Sequence, residues 1–288
     1  MKTNCLLLVV ISSLCFLTSC REPATHVTYS TWSPRGLWRL PVEGGTPQML
    51  VDGASSEVAV IDMSTETLFT ASEQSVERRT LDGVRVGGFM PPKHMRAMAV
   101  DAAHGHLYLA EEKNSHDIVR TDLDGGNLKV IVPDARHCHA LAFDGKNQKL
   151  YWSREHPSGV FRANADGTDI QQVAKETLIP QAVAVDEIHG LLFWACSDFS
   201  GNTSHITRAK LDGSGASSIL TLRGHYIEAL ASDPATQRLF WIERTGGGQA
   251  TIQSALHDGS GMKTLLTFEK NNWARCLTLG RLPKVAKQ

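Results

Sequence analysis

Several things are scarce in these 288 residues, and each scarcity narrows the reading. No charge predominates: 29 Lys and Arg stand against 30 Asp and Glu. Proteins that hold nucleic acid concentrate positive charge along one face, so nucleic acid is not an expected partner. Cysteine is sparse: Cys5 and Cys15 fall in an apolar leader and Cys20 directly follows it. Cys138, Cys196 and Cys276 remain, odd in number and widely spaced, so no disulfide framework is expected. A chain this long buries enough surface without one. Catalytic signatures are missing too. There is no Gly-x-Ser-x-Gly elbow, no phosphate-cradling glycine loop and no convincing triad.

Long apolar runs are limited to one. Leu6 to Leu17 follows Lys2, is too short to cross a bilayer, and reads as a secretory leader. Its end, Leu17-Thr18-Ser19-Cys20, resembles the bacterial lipobox, in which the leader is cut before a cysteine that then carries lipid. The resemblance implies a signal over 1–19, lipidation of Cys20, a tether over 20–26 and membrane attachment through that lipid. Arg21 rather than Asp after the cysteine favours the outer membrane of the cell envelope. An ordinary secretory leader, giving a secreted or periplasmic protein, is the alternative.

What is abundant is repetition. Acidic-Gly pairs recur at Glu43-Gly44, Asp82-Gly83, Asp124-Gly125, Asp166-Gly167, Asp212-Gly213 and Asp258-Gly259, with spacings of 39, 42, 42, 46 and 46 residues. A period of this size made of short strands marks a propeller. In each unit a strand A alternates apolar and small residues and ends in Asp, as in Arg96 to Asp101 and Gln181 to Asp186. Strand B carries aromatics, as in Leu150-Tyr151-Trp152 and Leu239-Phe240-Trp241. Strand C places an apolar residue two before an Arg, as in Val160/Arg162; in the sixth unit Ser254 replaces the Arg. The acidic-Gly turn leads to strand D, because glycine accepts the positive φ of a tight hairpin.

The first unit, from about Val27 to Leu50, has strands B, C and D but no strand A, and a spare strand A stands at 275–280. Paired, the two complete one blade and leave no open edge. The expectation is therefore an all-β, six-bladed β-propeller of four-stranded antiparallel blades over 27–280, with a basic tail at 281–288.

The stretch Leu150-Tyr151-Trp152-Ser153 … Val160-Phe161-Arg162-Ala163-Asn164-Ala165-Asp166-Gly167 resembles the YWTD repeat of the low-density lipoprotein receptor family (class B repeat). Leu192-Phe193-Trp194 … Asp212-Gly213 repeats it. The chain departs from that family at one position: the tetrad's final Asp is replaced by Ser72, Glu111, Arg154, Cys196 and Glu243. In the family this Asp helps join neighbouring blades, so other inter-blade contacts are expected here.

Function is sought on one face. A–B and C–D turns are short and regular, whereas D–A and B–C connections are longer and more varied, and binding concentrates on such loops. Glu57, Arg96, His139, Gln181, Glu228 and Arg275 open strand A on that loop face and should ring the channel mouth, with Arg96 opposite Glu228 and His139 opposite Arg275. They are the candidate ligand-binding ring; a solvated, self-neutralising pore rim is the alternative. His137-Cys138-His139 has the chemistry of a zinc or copper site. On an extended strand His137 and His139 would share a side and Cys138 would point away. A third ligand would have to come from Glu57, Glu228 or His94. No catalytic residue and no resident cofactor are assigned, a divalent metal being the one cofactor weighed. The reading is a non-enzymatic binding module on an envelope lipoprotein, presenting its loop face to a protein or glycan. The alternatives are a metal-dependent lactonase or esterase at the channel mouth, and a structural part of an envelope assembly.

Overall fold

The computed structural model describes residues 24–281, apart from 55, 73, 92, 93, 113–115, 199–202 and 271. The expected leader, Cys20 and the tail beyond Arg281 lie outside the described residues.

Six four-stranded antiparallel sheets form a ring, and every regular element among the described residues is a strand. β1 (His26–Trp32), β2 (Arg35–Pro41) and β3 (Gln48–Asp52) are strands B, C and D of blade 1. Blade 2 holds β4 (Val58–Asp62), β5 (Thr67–Ala71), β6 (Val76–Thr80) and β7 (Arg85–Phe89). Blade 3 holds β8 (Met95–Asp101), β9 (His106–Glu111), β10 (Ile118–Asp122) and β11 (Lys129–Val132). Blade 4 holds β12 (Leu141–Asp144), β13 (Lys149–Arg154), β14 (Gly159–Asn164) and β15 (Gln171–Lys175). Blade 5 holds β16 (Ile179–Asp186), β17 (Leu191–Ser197), β18 (Thr203–Lys210) and β19 (Ser217–Arg223). Blade 6 holds β20 (His225–Asp233), β21 (Arg238–Thr245), β22 (Ala250–Leu256) and β23 (Lys263–Thr267). The last strand, β24 (Ala274–Gly280), pairs with β1 in the register Val27↔Leu279 and Tyr29↔Leu277 and closes the ring as expected.

The repeat explains its own composition. The strand-B leucines Leu68, Leu107, Leu150, Leu192 and Leu239 are fully buried, each contributing about 1.5–3 kcal/mol. Apolar clusters lie across blade seams: Tyr151 and Val160 of blade 4 pack with Val183 and Trp194 of blade 5. At every acidic-Gly turn the glycine N–H donates to the carbonyl three residues back, at 2.8–2.9 Å, with φ of 84–91°. Several of these glycines also touch the preceding blade. A Cβ on Gly213 would fall 1.9 Å from the Val173 carbonyl oxygen, and one on Gly167 would fall 2.1 Å from that of Ile131. The motif is thus a turn signal and an inter-blade contact at once.

Strand C and strand B supply the other joins. Arg39 reaches Asp82 (3.2 Å), Arg162 donates to the Leu211 carbonyl (3.0 Å) and Arg208 to that of His257 (3.3 Å), each in the next blade. Tyr108 and Tyr151 hydroxyls donate to the Ala165 and Leu211 carbonyls (both 3.1 Å). Apart from the Arg39–Asp82 ion pair these bonds run from side chain to backbone, and all link neighbouring blades without the tetrad's Asp.

Candidate functional site

Strand A determines what stands at each end of the channel. At the turn face three of its terminal aspartates accept hydrogen bonds from the turn that follows. Asp62 accepts from the Ser64 amide (2.8 Å), Asp144 from the Asn147 amide (3.0 Å) and Asp186 from the His189 amide (3.0 Å). All three are fully buried. Each closes its own A–B turn, the habit of Asp in Asx-turns.

At the loop face the backbone does the opposite. Met95 pairs with Glu111 and Ala97 with Ala110, leaving Arg96 without a partner between them. Gln181 is skipped in the same way between Pro180 and Ala182, and Glu228 between Ile227 and Ala229. In the closing strand Arg275 and Cys276 oppose Ser30 alone. A β-bulge re-aims the extra side chain, and here four bulges aim four of the six ring residues at the channel. The other two precede their strands. Glu57 comes just before β4, and His139 lies two residues ahead of β12. Strand A of blade 4 therefore starts at Leu141, not His139: Arg136 and His137 have φ of 41° and 53°, and Ser153 Oγ takes both the His139 and Ala140 amides (3.1 and 3.0 Å).

All six expected residues line one cavity of about 300 Å³, together with Tyr226, Trp273 and Arg244. Beneath it the channel is lined by small strand-A side chains such as Ala59, Ala97 and Ala182. Arg244 Nη2 pairs with Glu228 (2.7 Å) and Arg275 Nη1 with Glu57 (3.4 Å). Arg96 donates to Glu112 through Nη1 (2.8 Å) and faces His139 Nδ1 through Nη2 (3.0 Å). The guanidinium of Arg275 lies 4.7 Å from the Trp32 ring centroid; that of Arg244 lies 5.3 Å from Trp273 and 5.4 Å from Tyr226. Trp32 and Trp273 are more than a third exposed. Gln181 is 95 % buried, yet its Nε2 has no hydrogen-bond partner.

The electrostatics follow from burial. Burial, then Arg96, pushes His139 down to about 4 against the opposing pull of Glu155, so the imidazole is neutral at pH 7 and Nδ1 accepts from Arg96. Burial raises Glu228 above the usual carboxylate range despite Arg244, Arg275 and Arg96. Burial and the Glu228 charge push Tyr226 up to about 12.

The His137 and His139 pair looks different from an extended strand. The left-handed His137 stands 4.6 Å, ring to ring, from His116, while His139 turns to Arg96 and to Glu155 (3.5 Å). Cys138 is buried and its thiol donates to the Ala140 carbonyl (3.3 Å). Among the described residues neither histidine belongs to a group of three potential metal donors. Glu57 and Glu228, considered above as a third ligand, are engaged by arginines.

Sequence reasoning missed Tyr226, Arg244 and Trp273. Tyr226 could have been found: it stands two residues before Glu228 on the same strand, and period two puts it on the same side. Arg244 and Trp273 come from the end of strand B and from a connection, and no periodicity points to them.

No family model matches the chain. The chain is 26 % identical over 218 residues to the proto-oncogene tyrosine-protein kinase ROS of Gallus gallus, covering 73 % of this chain but 8 % of that protein. It is 22 % identical over 180 residues to the protein cueball of Drosophila grimshawi, covering 60 % of this chain and 29 % of that one. The chain thus spans less than a third of these curated relatives. Among solved structures, a crystal structure of a nidogen/laminin complex superposes with a TM-score of 0.73 at 15 % identity, covering 88 % of this chain and 98 % of that one. TolB from Acinetobacter baumannii superposes with a TM-score of 0.75 at 11 % identity, covering 90 % and 67 %. At these identities the likeness is one of fold.

Proposed function

We propose that the protein is a non-enzymatic binding module that uses its loop face, with the channel mouth at the centre, to hold a polar group of a protein or glycan partner. The observation that carries this reading is Gln181. A buried amide N–H₂ without a partner costs about 1–3 kcal/mol, and this one stands in a ring whose charged members Glu57, Arg96, Glu228 and Arg275 are each in an ion pair, while His139 Nε2 is likewise without a hydrogen-bond partner. An acceptor oxygen entering the cavity would satisfy the amide. A cavity of about 300 Å³ is at the small end of ligand sites, so one side chain or one sugar fits better than a large cofactor. Exposed Trp32 and Trp273, each under an arginine, supply the aromatic and arginine surface on which interfaces and sugars are held. The nidogen propeller, solved in complex with laminin, lends the protein-partner arm its analogy.

The same reading keeps the chain exported, with a lipid on Cys20. Ala24 donates its amide to Asp233 on the turn face (3.2 Å). Four residues reach at most about 14 Å, so the lipid would hold the turn face against the membrane and direct the loop face away.

The test is binding to a glycan array and photo-crosslinking to envelope proteins, compared across variants. Gln181→Leu and Arg244→Ala should each lower occupancy about tenfold or more, whereas Lys146→Ala on the turn face should not. Equal binding by all three would refute the channel mouth as the site. Metal-dependent turnover of a lactone or ester by the wild type would instead select the hydrolase.

A further inference from the structure

Away from the channel, one cluster has metal-donor chemistry that the proposed binding role does not use. Cys196 on β17 and His205 on β18 are direct cross-strand partners in blade 5. Glu176 comes to them from the connection between β15 and β16, that is, from between blades 4 and 5. The Cys196 Sγ, a His205 ring nitrogen and a Glu176 carboxylate oxygen all lie within 4.8 Å of one another. His205 Nε2 is 3.7 Å from Glu176 Oε2.

We propose that Glu176, Cys196 and His205 form a zinc site that clips the blade 4–5 connection to the outer part of blade 5. Four observations support it. The donor set is a thiolate, an imidazole and a carboxylate, the mixture zinc selects. The separations are near what tetrahedral zinc requires: bond lengths of about 2.0–2.3 Å place ligand atoms roughly 3.3–3.6 Å apart, so closure needs about 1 Å of side-chain movement. Charge balances, because one carboxylate and one thiolate neutralise a dication in a half-buried setting. The carboxylate is also oriented from behind: Trp194 Nε1 donates to Glu176 Oε1 (2.5 Å), leaving Oε2 towards His205. Such outer contacts hold first ligands in place.

Binding is a coordination step without redox change. The Cys196 thiol proton leaves to solvent as the sulfur–zinc bond forms, and His205 gives its Nε2 lone pair while keeping its proton on Nδ1. Cys196 is fully buried, but the His205 and Glu176 side chains are 21 % and 15 % exposed, so the metal can enter and a water can take the fourth position.

The site is particular to blade 5. Cys196 occupies the position of the tetrad's Asp, and the corresponding residue of blade 6, Glu243, serves a different network. It accepts from Trp241 Nε1 (2.9 Å) and from Gln253 Nε2 (3.3 Å), and Thr251 stands across from it where His205 stands in blade 5. Among the described residues no other group of three His, Cys, Asp or Glu donors meets the same spacing.

The test is titration of the full chain, under reducing conditions, with Co²⁺ as a spectroscopic stand-in for Zn²⁺. The expected result is one equivalent giving a near-ultraviolet thiolate-to-cobalt band and intense visible bands, both bleached by Zn²⁺, with a rise in melting temperature on adding Zn²⁺. Cys196→Ala should abolish the thiolate band, Cys138→Ala should leave it intact, and His205→Gln should weaken Co²⁺ binding at least tenfold. His205 is partly exposed, so that variant remains informative if Cys196→Ala does not fold. A thiolate band that survives Cys196→Ala, a titration with no thiolate band, or undiminished binding by His205→Gln would each overturn the proposal.

Discussion

The two mouths of the channel are built from opposite ends of the same six inner strands, and they treat polar residues in contrary ways. At the turn face the buried carboxylates of Asp62, Asp144 and Asp186 spend their hydrogen bonds on the turn that follows. At the loop face Arg96, Gln181, Glu228 and Arg275 are thrown out of the ladder by bulges and face the cavity. At the first end these carboxylates have their hydrogen bonds satisfied inside the fold. The other leaves at least one donor, Gln181 Nε2, to be satisfied from outside. A strand can therefore carry a structural polar residue and a binding one eight residues or fewer apart, and backbone register separates the roles.

The comparison can be broken most directly at the turn face. Gly213→Ala should cost about 3 kcal/mol or more in a chemical denaturation series, since it adds left-handed strain to a Cβ placed 1.9 Å from the Val173 carbonyl oxygen. Gly190→Ala, with φ of 69° and nothing within 4 Å, should cost only about 1 kcal/mol by the same measurement. Next in size is Asp144→Ala. It deprives the Asn147 amide and Nδ2 of their acceptor and should cost about 2–3 kcal/mol, while partner binding by the folded fraction stays unchanged.

A third effect involves both ends. Burial, then Arg39, pushes His26 at the turn face down to about 4, and burial, then Arg96, does the same to His139 at the loop face. A base whose folded pKa is depressed gives stability that is complete above its unfolded value, about 6.5, and is lost as pH falls towards 4. Melting temperature should thus drop across that window, with each histidine responsible for about 1–3 kcal/mol at the acid end. His26→Gln and His139→Gln should each flatten part of the drop. If neither does, another group governs the acid limb.

The smallest expected change in stability is at the loop face. Gln181→Leu removes an unpaired buried amide and should move the unfolding free energy by about 0.5 kcal/mol or less, or raise it slightly, although it is the substitution expected to remove binding. If Gln181→Leu destabilised the fold as much as Asp144→Ala, the division of roles between the mouths would fall.

Much of this was legible in the residues. The acidic-Gly spacing and the Leu-aromatic strands specify six blades, because a period-two strand followed by a glycine that must take positive φ leaves few alternatives. The missing strand A before Val27 and the spare one at the C-terminal end specify the closure. The membership of the ring of six was legible as well, since the six residues recur at equivalent places in the repeat, at or just before strand A, and all line one cavity. The bulges were not: an extra residue in a ladder alters which way a side chain points without altering composition. His137 was misplaced for a similar reason, because a non-glycine residue in a left-handed conformation reads in sequence as one more strand residue.

By itself, then, the sequence determined the architecture: strand period, turn chemistry and the complementary chain ends are local signals, and local signals repeat. Only the tertiary structure decided which polar groups are spent and which are free. It brought Arg244 and Trp273 to a ring they do not share in sequence, and set Glu176 from one connection beside Cys196 and His205 of the next blade. Those meetings depend on how blades pack across a seam, a long-range relation that no window of residues contains.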